Sequence, residues 1–430
     1  LVNTNNKNYR IWVRALAILA LAGWLVVLFK SLQTLQYSGG TDLRCRMVGA
    51  RLLFTTASPY HYKWHQPAGH YYLDPNDHPS RPVNGNVATP AALMLLQPVS
   101  LLPHQVVRWV WAGFEWLCVW LLLAMGLPGR SGVSKLAWSI VPLLLFFSTD
   151  YWQYHQDRGQ LYIFYSTLLL GGWYFLQPGH YRPVWAGFCL LLLVTLRPPA
   201  IFIPFFIYFF LPPKARRQWV YLALVFTLAF VLPLLTTWQQ YLQAMAWYGR
   251  EYTANLPPPP FTEQMLSYTA GVIEGSTNLT RAIEWKVTCL QPLWYYANKA
   301  GVVLQQRQGY MLLGLAIAGA SGYLYQRRTN LRSRLSVVFL TGFILMLLAE
   351  LLSFLPRAPY NITWWVAGVI LMYWVLYRGS FMFLKILWIG MIALLLHRGT
   401  LGHWAEAFLL VSAILVLALQ KRGASSPLVR

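Results

Sequence analysis

The chain is 430 residues long, 57% hydrophobic and only 11% charged, whereas an ordinary soluble domain is about a quarter charged. Its net charge is +22, but the basic residues sit in short clusters between apolar runs and no basic domain stands apart. These features exclude a soluble multidomain protein and a nucleic-acid partner, and they leave a polytopic, all-α membrane protein.

A crossing helix needs about 20 apolar residues, fewer where the helix is short or the bilayer thins. Spans are predicted near 11–31, 104–126, 135–149, 160–177, 183–196, 199–211, 217–237, 300–325, 335–355, 361–377, 381–397 and 403–420. The first apolar run, 11–29, follows Lys7, Arg10 and Arg14 and has no convincing small-residue cleavage site. It reads as a span rather than a cleaved leader.

With the N-terminus in the cytoplasm, the inner segments are 1–10 with Arg14, 127–135, 178–182, 212–217, 326–334, 378–385 and 421–430. They hold 18 Lys or Arg and no Asp or Glu. Nine of the twelve acidic residues fall on the other side, and Glu115, Glu350 and Glu406 lie within spans. This asymmetry predicts a multi-pass protein of the cytoplasmic membrane with about 12 transmembrane helices and both termini inside. The whole chain, 1–430, then forms one transmembrane domain with two long exported loops, 32–103 and 238–299. Loops of that length are uncommon unless they work, so function is expected on the exported face. The four cysteines are scattered and form no CxxC pair, so neither a zinc site nor a disulfide framework is expected.

Loop one opens with Ser38-Gly39-Gly40-Thr41-Asp42. The glycines predict a tight turn, with Thr41 capping a helix over Leu43–Thr56. Leu43, Met47, Ala50 and Phe54 share one face, as in a helix lying on the membrane surface. Asp42 would stand at its N-terminus beside Arg44 and Arg46, where an ionised carboxylate can act as a general base. The alternative is an Asp that only stabilises the first helical turn. Ser58-Pro59-Tyr60-His61-Tyr62-Lys63-Trp64-His65 follows, too polar to span. Tyr60 and Trp64 offer faces suited to sugar rings, although an interfacial aromatic belt uses the same residues. His61 and His65 have helical metal-ligand spacing, but Pro59 precedes them and no third ligand is evident, so no metal is expected. Residues 90–103 are apolar but short, bounded by Pro90 and Pro103, and read as a re-entrant or interfacial helix.

Loop two carries Pro257–Pro260, a stiff spacer, and then Glu274, Asn278, Arg281, Glu284 and Lys286 at near-helical spacing, as on a solvated helix face. Asn278-Leu279-Thr280 matches a glycosylation pattern that is frequent by chance. Three further positions stand out because ionisable groups near lipid are costly. They are Arg197 before Pro198-Pro199, Arg357 after Glu350, and Asp157-Arg158-Gly159-Gln160 at a span entrance. Arginines near the outer leaflet can grip a lipid phosphate or simply anchor by snorkelling.

Several of these elements occur in a telling order. They are Asp42 after the first span, Gly49-Ala50-Arg51 to Ser58-Pro59-Tyr60, Thr89-Pro90 ahead of Gln97-Pro98 and Leu102-Pro103, Arg158-Gly159-Gln160, and Leu196-Arg197-Pro198-Pro199. In this the chain resembles the polyprenyl-phosphate-dependent glycosyltransferases of the GT-C class, most closely family 87, the bacterial mannosyltransferase-like membrane enzymes. The resemblance implies an inverting enzyme that moves a sugar from a polyprenyl-phosphate donor to a glycan or glycolipid acceptor at the outer face, with no cofactor. It makes Asp42 the base. Arg357, Arg197 and Arg44 are then the expected donor-phosphate ligands, and Tyr60, Trp64, Arg158, Gln160 and Glu350 the expected substrate-binding residues, among membrane lipids. The chain departs from the family at Arg357-Ala358-Pro359-Tyr360-Asn361, where members often carry Trp and His. It departs again at Ala88-Thr89-Pro90, where they carry an aromatic before Pro-Pro. Both departures bear on which sugar is used. The rival expectations are a lipid or glycan transporter or flippase, a polymerase or ligase using diphosphate-linked donors, and a membrane scaffold.

Overall fold

The computed structural model describes residues 7–37, 40–65, 70–74, 81–127, 132–147, 149–253, 290–302, 306–326, 335–353, 357–376 and 402–418. Every regular element among them is helical. Long helices include α1 (Lys7–Tyr37), α4 (His104–Gly126), α13 (Gln306–Gln326), α14 (Leu335–Leu351) and α16 (Gly402–Ala418). Between α1 and α4 lie α2 (Thr41–Leu52) and α3 (Pro90–Ser100). After α4 come α5 (Gly132–Trp138), α6 (Asp150–Arg158), α7 (Tyr162–Tyr174), α8 (Pro183–Leu196), α9 (Phe202–Phe210), α10 (Pro213–Phe226) and α11 (Leu235–Thr253). The short α12 (Leu293–Lys299) precedes α13, and α15 (Trp365–Leu376) follows α14.

Three helices, Arg10–Gln36, His104–Gly126 and Pro213–Arg250, are long and apolar enough to cross a membrane, and six shorter apolar helices accompany them. Their outward side chains form apolar belts, as at Trp12, Ile18, Leu121, Tyr221 and Leu415, a surface that lipid rather than water must cover. The protein is a membrane protein.

The predicted spans differ from the helices where proline intervenes. The span near 135–149 breaks into α5, a single turn at Ile140–Pro142 and a π-helical turn at Leu143–Phe147. The span near 217–237 runs on into α11, through a π turn at Thr227–Val231 and a 3₁₀ turn at Leu232–Leu234. Pro233 has no N–H to give and its ring crowds the preceding turn, so the helix deforms there. The start of loop two is therefore helical. Its proline run, Glu274 to Lys286, and the span near 381–397 lie outside the described residues.

Loop one departs most from expectation. The helix begins at Thr41 with Gly40 as its N-cap, and Thr41 does not cap it. It ends at Leu52, and Phe54 is exposed. Nine of its residues are buried, Arg44 and Arg46 included. It is an interior helix packed on α3, not a surface one. α3 is a short helix, buried over residues 90–93 and at Leu96 and Ser100, whose N-cap Thr89 accepts a hydrogen bond from the Ala92 N–H at 3.3 Å.

The remainder of loop one is knotted together by side-chain amides. Asn84 donates to the Pro59 carbonyl at 2.9 Å and accepts from the Asn86 N–H at 3.0 Å, while Asn86 accepts from the Ala88 N–H at 3.1 Å. Asn86 approaches α2 so closely that a Cβ at Gly49 would collide with it. Ser58 donates to Gln240 at 2.8 Å and Tyr248 donates to the Asn84 carbonyl, which pins the loop to α11. The Gly49–Tyr60 and Thr89-Pro90 stretches thus fix where α2 sits.

Candidate active site

Asp42 lies in the first turn of α2, where two left-handed glycines meet. Gly40 (φ 58°) starts α2 and Gly159 (φ 65°) ends α6. A Cβ on Gly40 would strike the Arg108 side chain, and one on Gly159 would come within 2.7 Å of the Leu43 Cβ. Both positions therefore need glycine for conformation and for space. Arg108, buried, donates to the Gln156 carbonyl at 3.1 Å and supports both turns from behind.

Arg158 and Gln160 flank Gly159 and converge on Asp42. Arg158 Nη1 lies 3.4 Å from Asp42 Oδ1 and donates to the Thr41 hydroxyl at 3.0 Å. Gln160 donates from Nε2 to Asp42 Oδ2 and accepts from Arg46 Nη2 at 2.5 Å, and Arg46 also donates to the Gly159 carbonyl at 2.7 Å. The carboxylate is thereby oriented on both oxygens but not closed off, since Asp42 keeps 18% of its side chain exposed and Arg158 keeps 15%.

A second ionic group runs through the spans. Arg197 donates twice to Glu350 Oε1, at 2.8 Å and 2.6 Å. Arg357 Nε is 3.4 Å from Glu350 Oε2. Arg357 donates bidentately to Glu406 at 2.9 Å and 2.7 Å and also to the Leu290 carbonyl at 2.8 Å. Glu406 further accepts from Trp365 Nε1 at 3.1 Å and from the Leu290 N–H at 2.8 Å. The order is Arg197, Glu350, Arg357, Glu406, with signs alternating. Arg197 keeps 30% of its side chain exposed, while Arg357, Glu350 and Glu406 keep 5% or less.

Several sequence candidates occupy other places. Arg357 is enclosed by carboxylates, so its guanidinium is committed to protein. Arg44 donates to the Leu73 carbonyl at 3.2 Å. Burial, then Arg51, lowers its pKa, and Asp74 partly offsets them. Arg44 ties the loop together. Tyr60 is fully buried and donates to the Ala88 carbonyl at 2.8 Å, and burial pushes its phenol pKa up. It packs in the loop rather than facing a ligand. Trp64 is half-buried in the coil that follows. Cys45 is a buried thiol whose pKa burial and Asp74 push up. Among the described residues no cluster of three or more His, Cys, Asp or Glu is placed to hold a metal ion.

The structure brings in Arg108 and Glu406, which the sequence reading left without roles, and it shows that Arg46, expected beside Asp42, reaches it through Gln160. Arg46 follows Asp42 by one helical turn, a spacing that signals pairing on one face. Glu406 is an acid inside an apolar helix, and such a charge needs a basic partner.

A family model described as Glycosyltransferase family 87 matches residues 88–350. That is more than half of the chain. The chain belongs to glycosyltransferase family 87. No curated protein and no solved structure matches it. As a family 87 member it is a glycosyltransferase, and the transporter, flippase and scaffold alternatives fall away. The family 87 match takes in Arg158, Gln160, Arg197 and Glu350. Asp42, Arg357 and Glu406 lie outside it, so their parts are argued from geometry and from the sequence resemblance.

Proposed function

We propose that this enzyme transfers a sugar from a polyprenyl-phosphate donor in the outer leaflet of the cytoplasmic membrane to an acceptor hydroxyl, with inversion. The observation that carries this reading is the contrast in exposure among the ionic groups. Asp42, Arg158 and Arg197 are the accessible charges, and the other members of both groups hold them in place. A carboxylate facing one way and a guanidinium another are what a single displacement at an anomeric carbon requires.

In this mechanism Asp42 takes the proton of the acceptor hydroxyl as the acceptor oxygen bonds to the anomeric carbon. The bond from that carbon to the donor phosphate oxygen breaks, and its electron pair leaves with polyprenyl phosphate. The phosphate gains negative charge as it departs, and Arg197 stabilises it by turning from Glu350. Glu350 then keeps Arg357 as its partner. Gln160 and Arg158 hold the carboxylate, with Arg46 fixing the Gln160 amide. Arg357 and Arg44 support the site without touching the donor, and the exported loops supply the acceptor side.

The test is transfer by the full-length protein in liposomes, offered polyprenyl-phosphate and polyprenyl-diphosphate sugars in turn. The expected result is product from the monophosphate donor with inverted anomeric configuration. Retained configuration, or transfer from diphosphate donors alone, would overturn the reading.

A further inference from the structure

A row of tyrosines joins the two accessible arginines. The Arg158 guanidinium stands 5.4 Å from the Tyr154 ring centroid, and that of Arg197 stands 5.7 Å from the Tyr162 ring. Tyr360 lies between the two rings. Its centroid is 5.4 Å from Tyr154, stacked at 29°, and 5.6 Å from Tyr162 at 41°. The row therefore reads Arg158, Tyr154, Tyr360, Tyr162, Arg197. Tyr154 and Tyr162 are buried, and Tyr360 is the member with exposed surface.

The row is held from behind. Trp364 meets Tyr162 edge-on at 6.0 Å and Tyr165 at 5.4 Å. Tyr360 belongs to the 3₁₀ turn Pro359–Trp364, whose Asn361 N–H donates to the Ala358 carbonyl at 2.9 Å. The partly exposed ring of Tyr360 is thus in contact with the tyrosine beside Arg158, which pairs with Asp42, and with the tyrosine beside Arg197.

We propose that Tyr360 is the platform for the transferred sugar. This rests on the donor reading above and deepens it. The sugar ring must lie between base and phosphate, because the acceptor oxygen enters on one side of the anomeric carbon as the phosphate leaves on the other. An aromatic face covers the C–H face of a sugar, and a phenol can hydrogen-bond its hydroxyls. Tyr60 cannot do this, because it is fully buried with its hydroxyl on Ala88. The sugar contact expected of Tyr60 therefore moves to the turn after α14, and Tyr360 becomes a specificity residue.

The experiment separates sugar contact from phosphate contact and from general damage. Dissociation constants are measured in nanodiscs for a polyprenyl-phosphate sugar and for sugar-free polyprenyl phosphate, using wild type, Tyr360→Ala, Tyr360→Phe and Arg197→Gln. Tyr360→Ala is expected to weaken the sugar-bearing donor by about ten-fold, the scale of one aromatic contact, and to leave the sugar-free carrier unchanged. Tyr360→Phe should show a smaller loss in the same direction, and Arg197→Gln should weaken both ligands. If Tyr360→Ala does not fold, Tyr360→Leu carries the same expectation. Equal weakening of both ligands, or of neither, by the Tyr360 variants would overturn the proposal while leaving the donor reading standing. A wild-type protein that binds neither carrier overturns the donor reading and this proposal with it.

Discussion

The ionic groups at the two ends of the tyrosine row are built from the same residue types but are closed to different degrees. Around Asp42, one carboxylate is held by Arg158 and Gln160 and still shows 18% of its side chain. Around Arg357, two carboxylates enclose one guanidinium, and Trp365 and the Leu290 backbone take up further sites on Glu406. Removing charge from water is costly, and a buried pair recovers that cost only when its hydrogen bonds are complete. In the Arg357–Glu406 pair both carboxylate oxygens and both terminal guanidinium nitrogens are hydrogen-bonded, while Arg357 Nε only faces Glu350 at 3.4 Å, so the pair is nearly saturated. Asp42 and Arg197 are held on one side and accessible on the other. On the proposed reading, the saturated group holds helices together and the accessible charges are left for chemistry.

That contrast can be broken by substitution. Glu406→Gln leaves Arg357 with one carboxylate in a buried setting and should destabilise the protein by about 3–5 kcal/mol. Thermal unfolding in detergent would read this, and turnover per folded molecule should stay near wild type. The double variant Arg357→Met with Glu406→Leu should regain most of the loss, because replacing both members leaves no uncompensated charge. A variant that melts like wild type but cannot bind donor would move Arg357 back among the phosphate ligands. Tyr60→Phe should cost about 1 kcal/mol, the net value of one hydrogen bond, with unchanged kcat and KM. A kinetic effect there would return Tyr60 to the substrate site.

The sequence made the helical membrane class legible, because apolar runs and the segregation of basic from acidic residues are properties of composition. It also marked Asp42, Arg158, Gln160, Arg197 and Glu350, because polar groups beside lipid stand out. It could not show what each faces. Arg357 and Arg197 look alike as arginines at span ends, and only the position of Glu406, about 50 residues further on, distinguishes them. Leu43, Met47, Ala50 and Phe54 gave α2 the pattern of a surface helix. The amide knot of Asn84 and Asn86, with the loop's attachment to Gln240 and Tyr248, instead buries nine of that helix's twelve residues. Tyr360, one of 26 tyrosines, stood in the sequence only as part of a stretch that departs from the family pattern. Its place in the row comes from ring contacts across distant helices.

The most direct test of the account is the single-turnover transfer rate of Asp42→Asn, compared with wild type at equal donor occupancy. Asparagine preserves the shape of the side chain and a carbonyl acceptor for Gln160, but it cannot take the acceptor proton. The account predicts a rate lower by about a thousand-fold, within the range for a lost general base, with donor affinity and melting temperature unchanged. A rate close to wild type would contradict it.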